Sequence, residues 1–378
     1  MRTRLSALLI AALLLTGLAG PAAPARAAAP LEIAVQDDGV LLRGSTALRA
    51  QAWQHIKQLH ASYVRVNVYW NDVVSTPNAK KRPKTVRYSL ADYDRLVKQA
   101  RSNGVGVQMT LGISAPAWAT STRKVGKTNP DPKLFAQFAA DMARHFKGKV
   151  GRYSILNEPN LAVWLKPVKT SAAQYRKLYA LSYSSIKRAS PSAKVFFGET
   201  APFARKKGSG TQPLTWIAQV LKGAKLKTDG VAHHPYAFKL APNKPYPAKG
   251  SVSMGSIARL SSALKTYAAR GQLRTPAGKV PGIYLTEHGY FVSGPQAPSY
   301  RNTQALPVAT RAKYWTQSLD IASKTSGVRQ LLSYQLYPSP PRATWDTSIL
   351  SPTGAPTSPF EAIAEWAQDA GSAVVQPR

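Results

Sequence analysis

Short apolar runs rich in β-branched and aromatic residues alternate with segments of helical periodicity from residue 31 onward. The runs predict eight strands: LEIAVQDDGVLL (31–42), YVRVNVYW (63–70), VGVQMTLG (105–112), RYSILN (152–157), KVFFGE (194–199), GVAHHPY (230–236), IYLTEHGY (283–290) and QLLSYQLY (330–337). The segments between them predict amphipathic helices over 90–102, 132–146, 172–189, 214–222, 256–270 and 309–323. This alternation is typical of βα units around a parallel sheet.

The connecting segments differ in length according to their direction along the chain. Those that follow strands are long and rich in Pro, Gly, Ser and aromatic residues, and they span 112–131, 199–213, 237–253, 291–308 and 337–358. Most of those that lead from a helix into a strand are short, such as SNG before the third run and SPSA before the fifth. The long loops therefore gather on one rim. In a closed (β/α)8 TIM barrel, that rim is the carboxyl-terminal face, where catalytic groups lie.

Length and composition favour a single globular domain. A chain of 378 residues has room for one α/β barrel with insertions or for two average domains. Apolar residues make up 44% and charged residues 18%, which is too hydrophobic for a disordered chain, and no linker or tandem repeat divides the sequence. We therefore predict one α/β domain, a (β/α)8 barrel, over residues 31–370.

The N-terminus has the pattern of an export signal. Arg2 and Arg4 precede an apolar stretch over 5–18, and the small-residue segment that follows offers a cleavage site at Ala25-Arg26-Ala27. We assign residues 1–28 to a signal peptide and expect a secreted, extracellular protein, with cell-wall association as a further expectation. The alternative is an uncleaved anchor, but the apolar core is short for a membrane span, so we expect no membrane partner for the mature chain.

The chain contains no cysteine. Disulfides, a thiol nucleophile, a thiolate metal site and a lipidated N-terminal cysteine are therefore excluded. An exported domain of this composition must depend on its packed core for stability.

The net charge is strongly positive, at +34 for the full sequence, and it falls to +31 once Arg2, Arg4 and Arg26 leave with the signal peptide. Such an excess attracts polyanions, which here means an anionic cell-wall polymer, an acidic polysaccharide or nucleic acid. A solvated cationic surface without a specific partner is the alternative. Because the charge is dispersed and no nucleic-acid motif occurs, we expect no specific nucleic-acid partner.

Three of the six glutamates end apolar runs on the same predicted rim. Glu158 in SILNEPN precedes Pro159, which disfavours a helical conformation before it and removes a backbone donor, so we expect Glu158 in extended geometry at a strand end. Glu287 ends the run IYLTEHGY, and Glu199 ends KVFFGET. The alternative for each is a structural ion pair with one of the many Lys or Arg residues, and it weighs most for Glu199.

Two carboxyl groups on opposite walls of a barrel mouth suit glycoside hydrolysis. One protonates the departing oxygen, and the other attacks the anomeric carbon or guides water to it. A separation of about 5 Å indicates retention through a covalent intermediate, whereas about 6.5 to 9.5 Å leaves room for a water molecule and indicates inversion. The site geometry therefore predicts the stereochemistry.

The motifs resemble those of the clan A glycoside hydrolases, (β/α)8 enzymes that include cellulases, β-xylosidases and β-galactosidases. The family's acid/base lies in an Asn-Glu-Pro motif that ends the fourth barrel strand, and LNEPN is similar to it at Asn157, Glu158 and Pro159. The family's nucleophile is a glutamate that ends the seventh strand, and LTEHGY is similar to that site at Glu287. The resemblance extends over essentially the whole mature chain and implies a retaining glycosidase with a carbohydrate substrate and no cofactor.

The resemblance also implies roles for neighbouring residues. Asn157 would contact the sugar 2-hydroxyl, and Arg65 in YVRVNVYW would lie near the nucleophile. HHPY is similar to the family's sixth-strand His-x-Tyr, so His234 and Tyr236 would bind substrate and orient Glu287. A structural ion pair for Arg65 and a buried core aromatic for Tyr236 are the alternatives.

Aromatic residues near the rim are candidates to stack against sugar rings, and core packing is the alternative for each. Trp118 and Trp345 are favoured because they lie in proline-rich loops, while Trp70 and Tyr290 adjoin strands. The family places a tryptophan at the end of the eighth strand, where this chain has SYQLYPSPPRATW, so Tyr337 or Trp345 is expected to take its place.

No metal site is expected from the histidines, since His233 and His234 are adjacent in a strand and point to opposite faces. No Gly-x-Ser-x-Gly elbow supports a serine hydrolase. Two alternatives to a retaining glycosidase stay open. One is a non-catalytic wall-binding or carbohydrate-binding barrel with a basic anion-binding surface, and the other is an inverting hydrolase or lyase that uses a different carboxylate, such as Glu199.

Overall fold

A computed structural model describes residues 31–205 and 208–369. The predicted signal peptide and residue 370 of the predicted domain lie outside the described residues. The strands in this part of the chain are β1 (Glu32–Gln36), β2 (Tyr63–Val68), β3 (Gly106–Leu111), β4 (Arg152–Ile155), β5 (Lys194–Thr200), β6 (Leu226–Lys227), β7 (Gly230–His233), β8 (Leu273–Arg274), β9 (Ile283–His288) and β10 (Val328–Tyr334).

Eight of these strands close into a parallel barrel in the order β1-β10-β9-β7-β5-β4-β3-β2, whereas β6 and β8 form a separate two-stranded sheet. The most extended pairing joins β2 to β3, in register from Tyr63 opposite Gly106 to Val68 opposite Leu111. Each of the eight predicted runs supplies one barrel strand. The predicted (β/α)8 fold is therefore confirmed.

Helices surround the barrel: α1 (Asp38–Arg43), α2 (Thr46–Gln58), α3 (Trp70–Val73), α4 (Ala91–Ser102), α5 (Pro132–His145), α6 (Val168–Ala189), α7 (Pro213–Leu221), α8 (Ile257–Ala269), α9 (Ser299–Gln304), α10 (Val308–Lys324) and α11 (Ser358–Asp369). Short 3-10 helices span Ala117–Ala119 and Met254–Ser256. The six predicted helices correspond to α4, α5, α6, α7, α8 and α10. No helix among the described residues combines the length and apolarity needed to cross a membrane.

The first predicted run needs correction, because a strand over 31–42 is wrong beyond Gln36. The chain turns at Asp37, whose side chain accepts a hydrogen bond from the backbone N–H of Val40 at 2.9 Å and caps α1. The apolar residues 40–42 belong to this helix, and their side chains are buried. In the sequence these apolar residues continue the β-rich run, but the N-terminal cap at Asp37 favours a helix here.

The interior at the amino-terminal end of the barrel is closed by a structural ion pair. The Arg152 guanidinium donates to both carboxylate oxygens of Glu32, at 2.7 and 2.8 Å. The same guanidinium lies 3.4 Å from the ring centroid of Tyr63. The rim formed by the long loops lies at the opposite end of the barrel from this ion pair.

Candidate active site

The three glutamates singled out from the sequence meet at the carboxyl-terminal ends of barrel strands. Glu199 lies in β5 and Glu287 in β9, while Glu158 follows the end of β4 by three residues. The backbone N–H of Glu158 donates to the carbonyl of Glu199 at 2.9 Å, which ties the turn after β4 to the end of β5.

The expected extended geometry of Glu158 is wrong. Its φ is +42°, in the left-handed region, and Leu156 (φ +62°) and Glu199 (φ +51°) share this conformation. Non-glycine residues in this region carry a conformational cost of order 1 kcal/mol or more, which surrounding contacts must offset. The preference imposed by Pro159 is overridden here, because the chain must turn sharply after Ile155 to present the carboxyl group.

Glu199 is fully buried and accepts hydrogen bonds from residues on four other strands or strand ends, namely β2, β3, β9 and the end of β7. Its Oε2 accepts from Arg65 Nη2 at 3.1 Å, from His234 Nε2 at 2.8 Å and from Thr286 Oγ1 at 2.9 Å. Burial raises the pKa of Glu199, but Arg65 and His234 outweigh it and hold the pKa at about 2. Glu199 is therefore a buried anion that balances two cations.

Arg65 projects from β2 into the barrel and is also fully buried. Its Nη1 donates to Glu287 Oε1 at 2.6 Å, and its Nη2 donates to Asn157 Oδ1 at 2.9 Å in addition to Glu199. Burial opposes its charge, yet Glu199 and Glu287 together raise the pKa of Arg65 above its ordinary value. A single guanidinium thus fixes the side chains that end β4, β5 and β9.

His234 bridges two carboxylates. Its Nε2 bonds to Glu199, while its Nδ1 lies 3.0 Å from Glu158 Oε1 and 3.7 Å from Glu287 Oε2. Burial lowers its pKa, but the three glutamates raise it to about 9, so both ring nitrogens carry protons at neutral pH and donate. His233 faces the other way, toward Thr200 and the carbonyl of Val252, and burial lowers its pKa to about 3.

The two candidate catalytic carboxyls face each other beside His234. Single side-chain atoms of Glu158, His234 and Glu287 all lie within 4.8 Å of one another, a spacing that would suit a metal ion. These donor atoms are already engaged by protein groups, because His234 Nδ1 bonds to Glu158 Oε1 and the oxygens of Glu287 accept from Arg65 and Tyr236. The side chains of Glu158 and Glu287 keep 15% and 11% of their surface exposed, whereas that of Glu199 keeps none. Only the first two can reach a substrate.

Each of the two candidate catalytic carboxyls accepts a hydrogen bond from an aromatic side chain. Tyr236 donates its hydroxyl proton to Glu287 Oε2 at 3.2 Å, so both oxygens of Glu287 are held, one by Tyr236 and the other by Arg65. Trp164 donates from Nε1 to Glu158 Oε2 at 2.9 Å. Of the sequence-predicted residues, Arg65, His234 and Tyr236 therefore each contact at least one of the three glutamates, and Asn157 is held by Arg65.

The predicted stacking residues lie in two different environments, one beside the candidate site and one in the core. Trp345 packs edge-on against Tyr236, with ring centroids 4.9 Å apart, and joins an aromatic wall formed with Phe203, Phe238, Phe291, Tyr246 and Tyr300. The wall is built from the loops after β5, β7, β9 and β10, so Trp345 lies next to the site. A position beside Tyr236 is compatible with the predicted sugar contact.

Trp118, in contrast, is 3% exposed, packs against Trp70 and donates its indole N–H to the carbonyl of Thr76. Tyr337 donates its hydroxyl to Gln51 on α2 and contacts His55. The structure places both among core contacts, away from the three glutamates, and Trp70 and Tyr290 are fully buried as well. A proline-rich loop therefore leaves Trp345 partly exposed but buries Trp118, so the loop composition did not predict the exposure of the side chain.

Two residues next to the site escaped sequence reasoning. Trp164 lies in the loop that follows LNEPN, and its position shortly after a candidate catalytic residue was the available signal. Asp38 follows β1, where its carboxylate accepts from Gln36 Nε2 at 3.2 Å and from the backbone N–H of Asn67 at 3.3 Å. Burial raises the pKa of Asp38 to about 7, against the attraction of Arg65. The rule applied to the other strand ends missed Asp38, because the first strand was predicted to continue to residue 42 and it ends at Gln36.

Comparison with solved structures returns barrels of glycoside hydrolases. A family 39 glycoside hydrolase from the gut symbiont Bacteroides cellulosilyticus WH2 is 17% identical, with a TM-score of 0.66 over 89% of this chain and 63% of that chain. A GH39 β-xylosidase from Caulobacter crescentus is 18% identical, with a TM-score of 0.60 over 91% and 73%. A GH10 endoxylanase retrieved from a sugarcane soil metagenome is 11% identical, with a TM-score of 0.57 over 89% and 97%.

The likeness is one of fold. No family model matches the chain, and no curated protein matches it. The chain spans less than two thirds of the length of the Bacteroides protein. At these identities the comparison shows a shared barrel fold, and the chemistry has to be argued from the site itself.

Proposed function

We propose that this chain is a glycoside hydrolase that cleaves O-glycosidic bonds of an oligo- or polysaccharide with retention of anomeric configuration. The observation that carries the proposal is the pair Glu158 and Glu287 at the barrel mouth, with an oxygen of each within 4.8 Å of the other. Carboxyl groups of retaining enzymes lie about 5 to 5.5 Å apart, whereas inverting enzymes need about 6.5 to 9.5 Å. An oxygen-to-oxygen distance within 4.8 Å is compatible with the shorter carboxyl separation of a retaining enzyme, in which Glu287 acts as a nucleophile.

In the first step, an oxygen of Glu287 attacks the anomeric carbon while Glu158, which must be protonated in the substrate complex, donates its carboxyl proton to the departing glycosidic oxygen and becomes a carboxylate. The C–O bond to the leaving group breaks, and a glycosyl ester forms on Glu287. In the second step, Glu158 takes a proton from water, and the water oxygen displaces Glu287 from the anomeric carbon. Two inversions at this carbon give net retention.

The surrounding residues support these steps through orientation. Arg65 and Tyr236 each hold one oxygen of Glu287, which restricts the direction of its attack. Trp164 and His234 hold the two oxygens of Glu158. With Asn157 Oδ1 fixed by Arg65, the amide group of Asn157 is oriented to donate to a sugar hydroxyl, as the family resemblance implies.

The burial of Glu199 weighs against the inverting alternative that uses this residue. Its side chain has no exposed surface, and its oxygens accept bonds from Arg65, His234 and Thr286. A general base for water must reach solvent and substrate, and Glu199 reaches neither. The non-catalytic alternative leaves unexplained why two partly exposed glutamates are held so close together.

The names of the structural neighbours indicate which sugar substrates should be tested first. The Caulobacter neighbour is named as a β-xylosidase and the metagenomic neighbour as an endoxylanase. Aryl β-xylosides and xylan are therefore the first substrates to test, followed by other aryl β-glycosides and by acidic polysaccharides.

The deciding experiment has two parts. Proton NMR of the first sugar released from an aryl β-glycoside should show the β-anomer before mutarotation, and an initial α-anomer would overturn retention. Glu287→Gln should abolish turnover, and Glu158→Gln should lower it by about 10² to 10⁴-fold on a poor leaving group. Glu361→Gln, an exposed position on α11, is the matched control and should leave the rate unchanged. Equal activity in all three variants would reject the proposal.

We also propose that the protein acts outside the cell, on the basis of the signal-like pattern over residues 1–28. N-terminal sequencing of protein recovered from the culture medium tests this. A mature chain that begins shortly after Ala27 is the expected result, and retention of the full chain in the cell would contradict it.

A further inference from the structure

Two loops on the rim carry an unusual concentration of positive charge. The loop over 75–89 follows α3, the loop over 120–130 follows β3, and together we call them the basic rim. They contain eight Lys or Arg residues and no Asp or Glu: Lys80, Lys81, Arg82, Lys84, Arg87, Arg123, Lys124 and Lys127. All are exposed except Lys127, which is half-buried, and none forms an ion pair within residues 31–205 and 208–369.

The two loops hold their charges close together. Lys80 Nζ donates to the carbonyl of Arg123 at 2.8 Å, and Arg123 Nη1 donates back to the carbonyl of Lys80 at 3.3 Å. Trp118 Nε1 and the N–H of Ala117 bind the carbonyls of Thr76 and Pro77, which fastens one loop to the other. Like charges in such an arrangement repel one another, and an anion bound across them would relieve that repulsion.

The basic rim leads directly to the candidate acid/base. Lys127 Nζ lies 4.0 Å from the ring centroid of Trp164, and Trp164 donates to Glu158. Lys166 lies beside it, since the backbone N–H of Lys166 donates to the carbonyl of Lys127 at 2.9 Å. Burial, followed by repulsion from Lys166, lowers the pKa of Lys127. A polymer that follows these cations therefore arrives at the wall where the departing group would be protonated.

The opposite wall of the mouth differs in character. It is the aromatic wall around Phe203, Phe238, Phe291 and Trp345, with Arg205 placed over the rings of Phe238 and Tyr300 at 4.6 and 4.3 Å. Aromatic faces suit the apolar faces of sugar rings. Phe203, Phe238 and Phe291 are buried, so the partly exposed rings of Tyr246, Tyr300 and Trp345 are the ones on this side that a sugar can reach, whereas the basic rim fits negative substituents.

We propose that the basic rim is a binding track for an acidic polysaccharide, whose uronate carboxylates pair with its Lys and Arg side chains as the chain enters the site at Glu158. The inference rests on the proposed glycosidase function and specifies its substrate class. Carboxylates on a glycan are favoured over the phosphates of a nucleic acid because the track ends at a site suited to glycosidic bonds. Within the basic rim, Tyr88 is the single aromatic residue, and its hydroxyl is engaged by Asp141, so an array of base-stacking platforms is lacking there.

The test measures binding separately from turnover. Polygalacturonate is the probe, and Glu287→Gln is the background, so that no bond is cleaved. The rim variant combines Lys80→Gln, Lys81→Gln and Lys124→Gln, and the control combines Lys147→Gln, Lys222→Gln and Lys225→Gln, which are exposed and lie outside the basic rim. Both variants lose three positive charges, so the net charge is matched. The rim variant should bind about tenfold more weakly at physiological salt, and the control should change less than about twofold.

Each result has a defined consequence. Equal weakening in both variants would show that diffuse charge suffices and would overturn the track. Absence of binding by the parent protein would overturn it as well. Tighter, rim-dependent binding of inorganic polyphosphate would reject uronate carboxylates as the ligand. If binding depends on the rim but no aryl glycoside is hydrolysed by the active protein, the track stands and the glycosidase function fails. Thermal unfolding of both variants verifies that each is folded.

Discussion

Glu199 contacts no solvent, yet it contacts both cations that also hold the two partly exposed glutamates. The centre contains three carboxyl groups, and Arg65 and His234 are the cations in direct contact with them. Each cation is shared between Glu199 and at least one of the partly exposed glutamates. Breaking a buried ion pair by removing one partner costs about 3 to 5 kcal/mol, because the other charge is left without compensation.

Glu199→Gln should therefore change the protonation of His234. In the native protein, the glutamates raise the pKa of His234 to about 9. A folded-state pKa above the unfolded value means that the stabilisation is complete below the unfolded value of about 6.5 and is lost as pH rises through about 9. Without the Glu199 charge, the loss should begin at lower pH. The free energy of unfolding and kcat/KM, each measured from neutral to alkaline pH, should both decline earlier in the variant.

The pH dependence of Glu199→Gln distinguishes an electrostatic role of Glu199 from a role in packing alone. A residue that serves packing alone would lower stability by a constant amount at every pH and leave the shape of the alkaline limb unchanged. Superimposable alkaline limbs in the native protein and the variant would thus contradict the role of Glu199 in holding His234 protonated. Glu361→Gln, at an exposed site, controls for the loss of a carboxylate as such.

Trp345 and Trp118 should respond differently to truncation. Trp345 packs against Tyr236 at the mouth, so Trp345→Ala should raise KM about tenfold with a small loss of stability. Trp118 is buried against Trp70, so Trp118→Ala should lower the free energy of unfolding by about 3 to 5 kcal/mol. Steady-state kinetics and denaturant unfolding of both variants measure the two effects. A Trp345 variant with native KM would remove this residue from the sugar-binding surface.

At the scale of elements, the end of β5 is shaped by an irregularity. The pairing of β5 with β7 shifts between Gly198 and Thr200, and Gly198 has a φ of +107°. A Cβ at this position would lie 2.7 Å from the carbonyl oxygen of Ala232. Only glycine accommodates both constraints, and the shift turns Glu199 into the barrel.

Gly198→Ala should consequently disturb the strand end and the site together. We expect a loss of stability of about 1 to 3 kcal/mol from the strained backbone, together with a large fall in kcat because Glu199 supports Arg65 and His234. Gly278→Ala is the matched control, since its φ is +75° but no atom lies within 4 Å of an added Cβ. Gly278→Ala should lose stability through backbone strain, and its kcat should remain unchanged because the site is not displaced. Native kcat in Gly198→Ala would contradict the argument.

For the whole molecule, the charge of about +31 expected after signal removal acts over longer distances than the contacts of the site. Attraction between exposed charges is screened beyond about 10 Å at 0.1 M salt and beyond about 3 Å at 1 M, while buried pairs are screened much less. Raising the salt concentration over this range should raise KM for an acidic polymer and leave turnover of a small neutral aryl glycoside nearly unchanged. Equal salt sensitivity of the two substrates would show that charge acts on the chemical step.

Several features of this protein followed from the sequence alone because they depend on neighbouring residues. Helices α4, α5 and α6 correspond to segments with apolar positions at helical spacing, and the barrel strands correspond to β-rich apolar runs. Parallel strands in a closed barrel end on one rim, so Glu158, Glu199 and Glu287 could be assigned to that rim before any coordinates were known. Local pattern and the regular geometry of the fold were sufficient for these assignments.

The tertiary structure decided what depends on contacts between distant segments. Arg65 meets Glu287, 222 positions away, and His234 meets Glu158, 76 positions away, so neither the carboxyl spacing nor the charge of His234 can be obtained from local pattern. Burial turned Glu199 into a structural anion and Trp118 into a core residue, and cap formation at Asp37 turned an apolar run into α1. Hydrogen bonding and desolvation are properties of the packed surroundings, and these exist only once the barrel has closed.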